Sequence, residues 1–287
     1  MHLKMKQVIL VNVIFLFLLY GYCNCNAGII FQDDFESDSS NWTCGDGNLS
    51  KWTSVWVSCG YTEGFGYEWK MGSGHNSSNA VYAWKCDQVP NGYRSGSDKW
   101  LSGNDLVKEI YHRWYMKVPP TFDKSIPQGF KFWRYILREY GYSNPPVIYL
   151  NAHGGNKFSN SDLSIYNVTT GYLNLVPISS FNDDNWHCHE LRIKLNSDGQ
   201  SDGIIQYWLD GELKATYTNL SFSGSVTSLK IHMFGVGIGN VSDPPWDMSE
   251  WTACIFDDVV VADQYIGPIQ EGSGHSRHYY SGQANFR

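Results

Sequence analysis

The chain has 287 residues, among them 28 Gly, 19 Tyr, 14 Phe and 12 Trp; 16% of it is aromatic and only 17% charged. This balance excludes a disordered chain or a coiled coil, and a net charge of −7, taken alone, argues against an anionic ligand, nucleic acid included. Aromatics favour half-buried pleated surfaces and glycines favour tight turns, so the expected fold is an all-β sandwich or jelly roll of two antiparallel sheets.

Residues 1–27 pair Lys4 and Lys6 with an apolar run from Val8 to Tyr20 and end in Asn26-Ala27. That pattern predicts a secretory signal peptide, because the run is shorter than the roughly 20 residues of a membrane span. Cys23 offers a lipoprotein alternative, with Tyr22 a poor neighbour for it. The expected product is secreted and extracellular, with no membrane partner after leader removal, and monomeric. Six Asn-x-Ser/Thr sequons, at Asn41, Asn48, Asn76, Asn167, Asn219 and Asn240, suit glycosylation in a eukaryotic host. Five cysteines remain after the leader, Cys44, Cys59, Cys86, Cys188 and Cys254, enough for two disulfides and one free thiol in an oxidising compartment.

Along residues 28–269, the expected single domain, Phe31 begins a short strand, and residues 43–100 suit short strands joined by long loops. Asn104–Ile110 allows a helical turn or two. Ile110–Val118 alternates and stops at Pro119-Pro120. Gly129–Leu137, Val147–His153 and His189–Leu195 read as strands, and Ile204–Thr216 reads as a hairpin about Asp210-Gly211. Leu229–Phe234 and Ile255–Ala262 are two more strands. Residues 270–287 form a polar, Gly/Ser-rich tail.

Several enzyme signatures are missing: GxSxG, HExxH, and the ExDxE carboxylates of sandwich-fold glucanases. Gly235, Gly237 and Gly239 form a GxGxG run without a following helix, which reads as a glycine-rich loop beside a strand. His187 and His189 flank Cys188 on one strand face, and a structural position suits them better than a metal site with no third ligand. Lys108–Arg138 holds seven bases against two acids, a local +5 in a chain whose remainder is −14 without the leader. Strict alternation puts Arg113, Tyr115 and Lys117 on one face of the first strand here. In the second strand it puts Lys131, Trp133 and Tyr135 opposite Phe132, Arg134 and Ile136. Cation and aromatic on one face suit a sugar acid, through ring stacking and carboxylate pairing.

The segments DDFES, RWYMKV, GFKFWR, HELRIKLNSDGQSDGIIQYWLDGELK and IFDDVVVADQYIGP, spread over residues 31–268, resemble secreted polysaccharide lyases with a concanavalin-A-like jelly roll. The heparin-lyase-like and alginate-lyase-like members are the nearest comparison. The resemblance implies β-elimination on an anionic, uronic-acid polysaccharide. It points to Lys131 as base or carboxylate neutraliser; Tyr149 and His153, at alternating positions of VIYLNAH, are candidates for the acid and base, and the cation-plus-aromatic faces offer Arg113, Tyr115, Trp133 and Arg134 for substrate binding. The chain departs from another alginate-lyase branch, since no RxELR strand with a later YxKxGxYxQ strand is found. No cofactor is required for this chemistry. Asp257 and Asp258, which the resembling fold would bring near Asp33 and Asp34, are candidates for a structural Ca²⁺. The alternatives are a non-catalytic, lectin-like carbohydrate-binding module and, less favoured, a glucanase-like hydrolase.

Overall fold

Alternation of apolar and polar residues carries most of the chain into strands. The computed structural model describes residues 28–37, 51–57, 65–71, 74–75, 79–85, 94–120, 130–138, 146–153, 162–222, 228–240 and 252–269. The expected leader and tail, Cys44, Cys59, Cys86 and the sequons at Asn41, Asn48 and Asn76 lie outside these residues.

The strands in chain order are β1 (Ile29–Asp33), β2 (Ser54–Val57), β3 (Phe65–Met71), β4 (Asn79–Lys85), β5 (Arg94–Trp100), β6 (Glu109–Lys117), β7 (Phe130–Ile136) and β8 (Val147–His153). They continue as β9 (Asp162–Asn167), β10 (Gly171–Pro177), β11 (Trp186–Lys194), β12 (Gly203–Leu209), β13 (Glu212–Leu220), β14 (Met233–Asn240) and β15 (Thr252–Ala262). One sheet runs β13-β12-β11-β6-β15-β4-β3, with β1 also pairing β15; the other runs β10-β9-β8-β7-β14-β5-β2. Neighbouring strands are antiparallel, giving the expected two-sheet jelly roll.

The core lies between the sheets. Ile110, Trp114 and Met116 of β6, Leu191 and Ile193 of β11 and Ile205 and Tyr207 of β12 meet Phe132 and Tyr135 of β7, Ile148 and Leu150 of β8 and Phe234, Val236 and Ile238 of β14. Each large apolar side chain so buried contributes about 1.5–3 kcal/mol relative to exposure. At the β12–β13 turn, Asp210 (φ 53°) and Gly211 (φ 81°) both take positive φ, as a tight two-residue hairpin requires.

Three local expectations change. The helical turns expected from Asn104 reduce to a single 3-10 turn at Gly103–Asp105, and β6 begins at Glu109. The glycine run is not a loop: Gly235, Gly237 and Gly239 are inside β14, alternating with core residues Phe234, Val236 and Ile238. Cys188 and Cys254 are buried free thiols, which leaves at most one disulfide for the other three cysteines beyond the leader.

Candidate functional site

The outer face of the β7–β10 sheet is organised by cross-strand register. Opposed residues share a face, and the partners Lys131↔Asn151, Asn151↔Ser164 and Ser164↔Asn174 make one row across β7, β8, β9 and β10. Arg134↔Tyr149, Tyr149↔Tyr166 and Tyr166↔Tyr172 make a second row beside it. The intervening residues Ile148, Leu150, Leu163 and Ile165 point into the core. Lys131 also pairs with Gly239 of β14, so the first row continues onto the glycine stripe, where no side chain rises from the strand.

Lys131 and Arg134 are three residues apart and would face opposite ways in a regular strand. The register of β7 against β8 shifts between Lys131 and Trp133, a bulge that inserts one extra residue. It corrects the strict alternation expected for this strand: Phe132 and Tyr135 enter the core, while Lys131 and Arg134 remain partly exposed on one face. The Lys131 ammonium nitrogen stands 4.1 Å from the Tyr149 ring centre. Burial lowers the Lys131 pKa, and the Arg134 charge lowers it further, since both disfavour an ammonium there. Asn151 and Ser164, both buried, leave Oδ1 and Oγ without a hydrogen-bond partner, as does Arg134 Nε. His153 occupies the register position opposite Asp162, whose pKa burial raises; the side chains of His153 and Trp133 lie outside the described residues.

Arg113 and Tyr115 are in the other sheet, on β6, with the core on their far side. The residues after β15 cover them. Arg113 donates to the Gly267 carbonyl (3.2 Å) and the Asp258 carbonyl (3.2 Å), and Tyr115 Oη accepts from Ile269 N–H (2.8 Å). Glu190, directly opposite Arg113, accepts Ile266 N–H and Gly267 N–H, each at 2.8 Å. Burial raises its pKa to about 7 against the opposing pull of these donors and of Arg113. The structure therefore does not bring Arg113 and Tyr115 to Lys131; they clasp the segment Ile266–Ile269 to the sheet.

The carboxylates considered for calcium have other partners. Asp257 accepts His75 N–H (2.7 Å) and Asp258 N–H (2.7 Å), and Asp258 meets the His75 ring at 3.1 Å. Asp33 accepts Trp52 Nε1–H (2.7 Å) and pairs with Lys51 (3.1 Å). Ca²⁺ takes six to eight oxygens, and among the described residues no group of three or more His, Cys, Asp or Glu side chains is placed to hold a metal. The His187 ring is held between Asp210 (2.7 Å) and Asp183 (3.0 Å), whereas His189 is buried against Tyr207 (2.7 Å).

Asn151, Ser164, Tyr166 and Tyr172 were not among the sequence candidates. The period-2 patterns of VIYLNAH and DLSIYN carry the first three, and Tyr172 joins them only once β9 and β10 are recognised as strands joined by the turn Val168-Thr169-Thr170.

No protein-family model matches the sequence, and no curated protein matches it. Solved structures do. An endo-β-1,4-glucuronan lyase from the fungus Trichoderma reesei superposes with a TM-score of 0.53 at 16% identity, over 77% of this chain and 94% of its own. The alginate lyase Aly36B superposes with a TM-score of 0.56 at 12% identity, over 81% and 96%. A PL-14 alginate lyase from Aplysia kurodai gives 0.51 at 13% identity, over 79% and 100%. At these identities the likeness is one of fold, and the chain shares the jelly roll of these polysaccharide lyases.

Proposed function

We propose that the protein is a polysaccharide lyase that cleaves a uronic-acid-containing glycan by β-elimination on the outer face of β7 and β8. The observation that supports this reading is the convergence of Lys131, Arg134 and Tyr149 on one face through the β7 bulge. The three lyases of the same fold, which by name act on glucuronan or alginate, favour the same substrate class. The leader-like first 27 residues favour export, so that the glycan is met outside the cell.

The chemistry divides among these groups. The Arg134 guanidinium pairs with the uronate carboxylate, which stabilises the negative charge that develops when C5 loses its proton. Asn151, beside Lys131, would turn its side-chain N–H to the same carboxylate. Lys131, its ammonium disfavoured by burial and by Arg134, takes the C5 proton; the C5–H electrons form the C4=C5 bond as the C4–O bond breaks. Tyr149 O–H donates its proton to the departing glycosidic oxygen. His153, two residues after Asn151 along β8, is the second candidate for the base.

The test is incubation with alginate, glucuronan and heparin while following the ultraviolet absorbance of an unsaturated uronide. A rise that Lys131→Ala removes supports the lyase. Retained glycan binding without any rise would overturn it in favour of the non-catalytic binding module.

A further inference from the structure

The second cross-strand row extends well beyond the reacting groups. Arg134, Tyr149, Tyr166 and Tyr172 are successive register partners on β7, β8, β9 and β10. With strands about 4.8 Å apart, the row spans about 14 Å at right angles to the strands. The Tyr166 and Tyr172 rings are 4.5 Å apart and tilted by 36°. Tyr172 is 45% exposed, at the sheet edge. Pairing of two tyrosines would by itself stabilise a sheet edge, and it would do so equally with the rings on either face. Here they share the face of Lys131 and Arg134, away from the core residues Leu163 and Ile165. On the opposite side of Lys131, β14 contributes Gly239 at the paired position.

We infer that Tyr166 and Tyr172 form a distal sugar-stacking subsite, and that the glycan lies across the strands. The reacting uronate sits over Lys131 and Arg134, and the following sugars stack on the tyrosine row. Aromatic faces bind the C–H faces of pyranose rings with little need for charge, so this subsite recognises chain length and ring geometry while Arg134 recognises the carboxylate. The inference rests on the reading of this face as the glycan site and adds the direction in which the chain runs.

The experiment compares wild type, Tyr172→Ala and Tyr172→Phe on long and short glucuronan and alginate oligosaccharides, with KM and kcat from the uronide absorbance and Kd from calorimetry. Loss of one stacked ring is expected to raise KM and Kd for long oligosaccharides about three- to tenfold. kcat should fall much less, and Tyr172→Phe should restore affinity. Unchanged KM and Kd in Tyr172→Ala would overturn the subsite while leaving the lyase reading intact if turnover persists. Tyr172→Phe as weak as Tyr172→Ala would also overturn it, because the hydroxyl and not the ring would then be the contact. If wild type binds without cleaving and Tyr172→Ala still loses affinity for long chains, the lyase reading fails and the subsite stands. Absence of both binding and cleavage in wild type overturns both.

Discussion

The Lys131 ammonium nitrogen lies 4.1 Å from the centre of the Tyr149 ring, on the strand next to its own. An amine over a ring face can stay protonated through cation–π attraction, yet here burial and Arg134 push its pKa down. The opposition places the lysine nearer to a usable base than a free surface lysine.

Lys131→Ala is expected to lower kcat by about 10²–10⁴-fold, the usual contribution of a general base, with the thermal unfolding midpoint nearly unchanged because Lys131 is outside the core. A base works in its neutral form, so kcat/KM should rise with pH through the lowered Lys131 pKa. Arg134→Gln removes one cause of the lowering and should move that limb to higher pH as well as raising KM. A pH–rate profile that keeps its position in Arg134→Gln would remove Lys131 from the role of base.

The Glu190 clasp predicts a pH-dependent contribution to stability. Its folded pKa, about 7, lies above the ordinary glutamate value because of burial. The contribution is fully present below the unfolded pKa and is lost as pH rises through the folded one. Glu190→Gln does not titrate, so the stability difference between wild type and this variant should shift in favour of wild type on moving from pH 7.5 to 5.5, by about 1–2 kcal/mol. Urea titrations at the two pH values measure it. Equal differences at both would show that Glu190 titrates normally.

Two buried imidazoles act in the opposite sense. His112 meets Tyr135 Oη at 2.9 Å and His189 meets Tyr207 Oη at 2.7 Å, with Trp114 between the rings and each Nε2 without a partner. Burial pushes both pKa values down to about 3. Below the unfolded histidine value the unfolded chain takes up protons that the core refuses, so each contributes a loss of up to about 1.4 kcal/mol per pH unit on acidification. His189→Asn should be less stable at pH 7 and show a shallower loss between pH 6 and pH 4 in urea titrations. A loss as steep as that of wild type would mean that His189 does not resist protonation in the fold.

The sequons separate by burial. Asn167 is fully buried, its amide donating to the Val147 carbonyl and its oxygen accepting Thr169 N–H at 2.8 Å. Asn219 is exposed with a positive φ of 58°. When the protein is secreted from a eukaryotic host, peptide mass spectrometry should find glycan at Asn219 and none at Asn167.

Strand identity was readable where alternation was regular. The hairpin about Asp210-Gly211 and the inward face of β6, with His112, Trp114 and Met116, follow directly from period-2 patterning and turn chemistry. The candidate site was readable only in part. Tyr149 and Lys131 stood out as residue types, but simple alternation put Arg134 on the wrong side, because a bulge of one residue reverses every later side chain and depends on the partner strand. The basic stretch Lys108–Arg138 also looked like one patch. In the fold β6 and β7 belong to different sheets, so Arg113 serves a buried clasp and Lys131 a partly exposed position on the outer face of the other sheet.

Composition and periodicity by themselves determined the fold class: many aromatic, glycine-punctuated, alternating segments can bury their apolar faces only by stacking two sheets. Which polar residues meet was decided by tertiary structure alone. Register between strands distant in sequence sets those neighbours, and neither the Lys131–Arg134 face nor the Tyr149–Tyr166–Tyr172 row exists until β7, β8, β9 and β10 are paired.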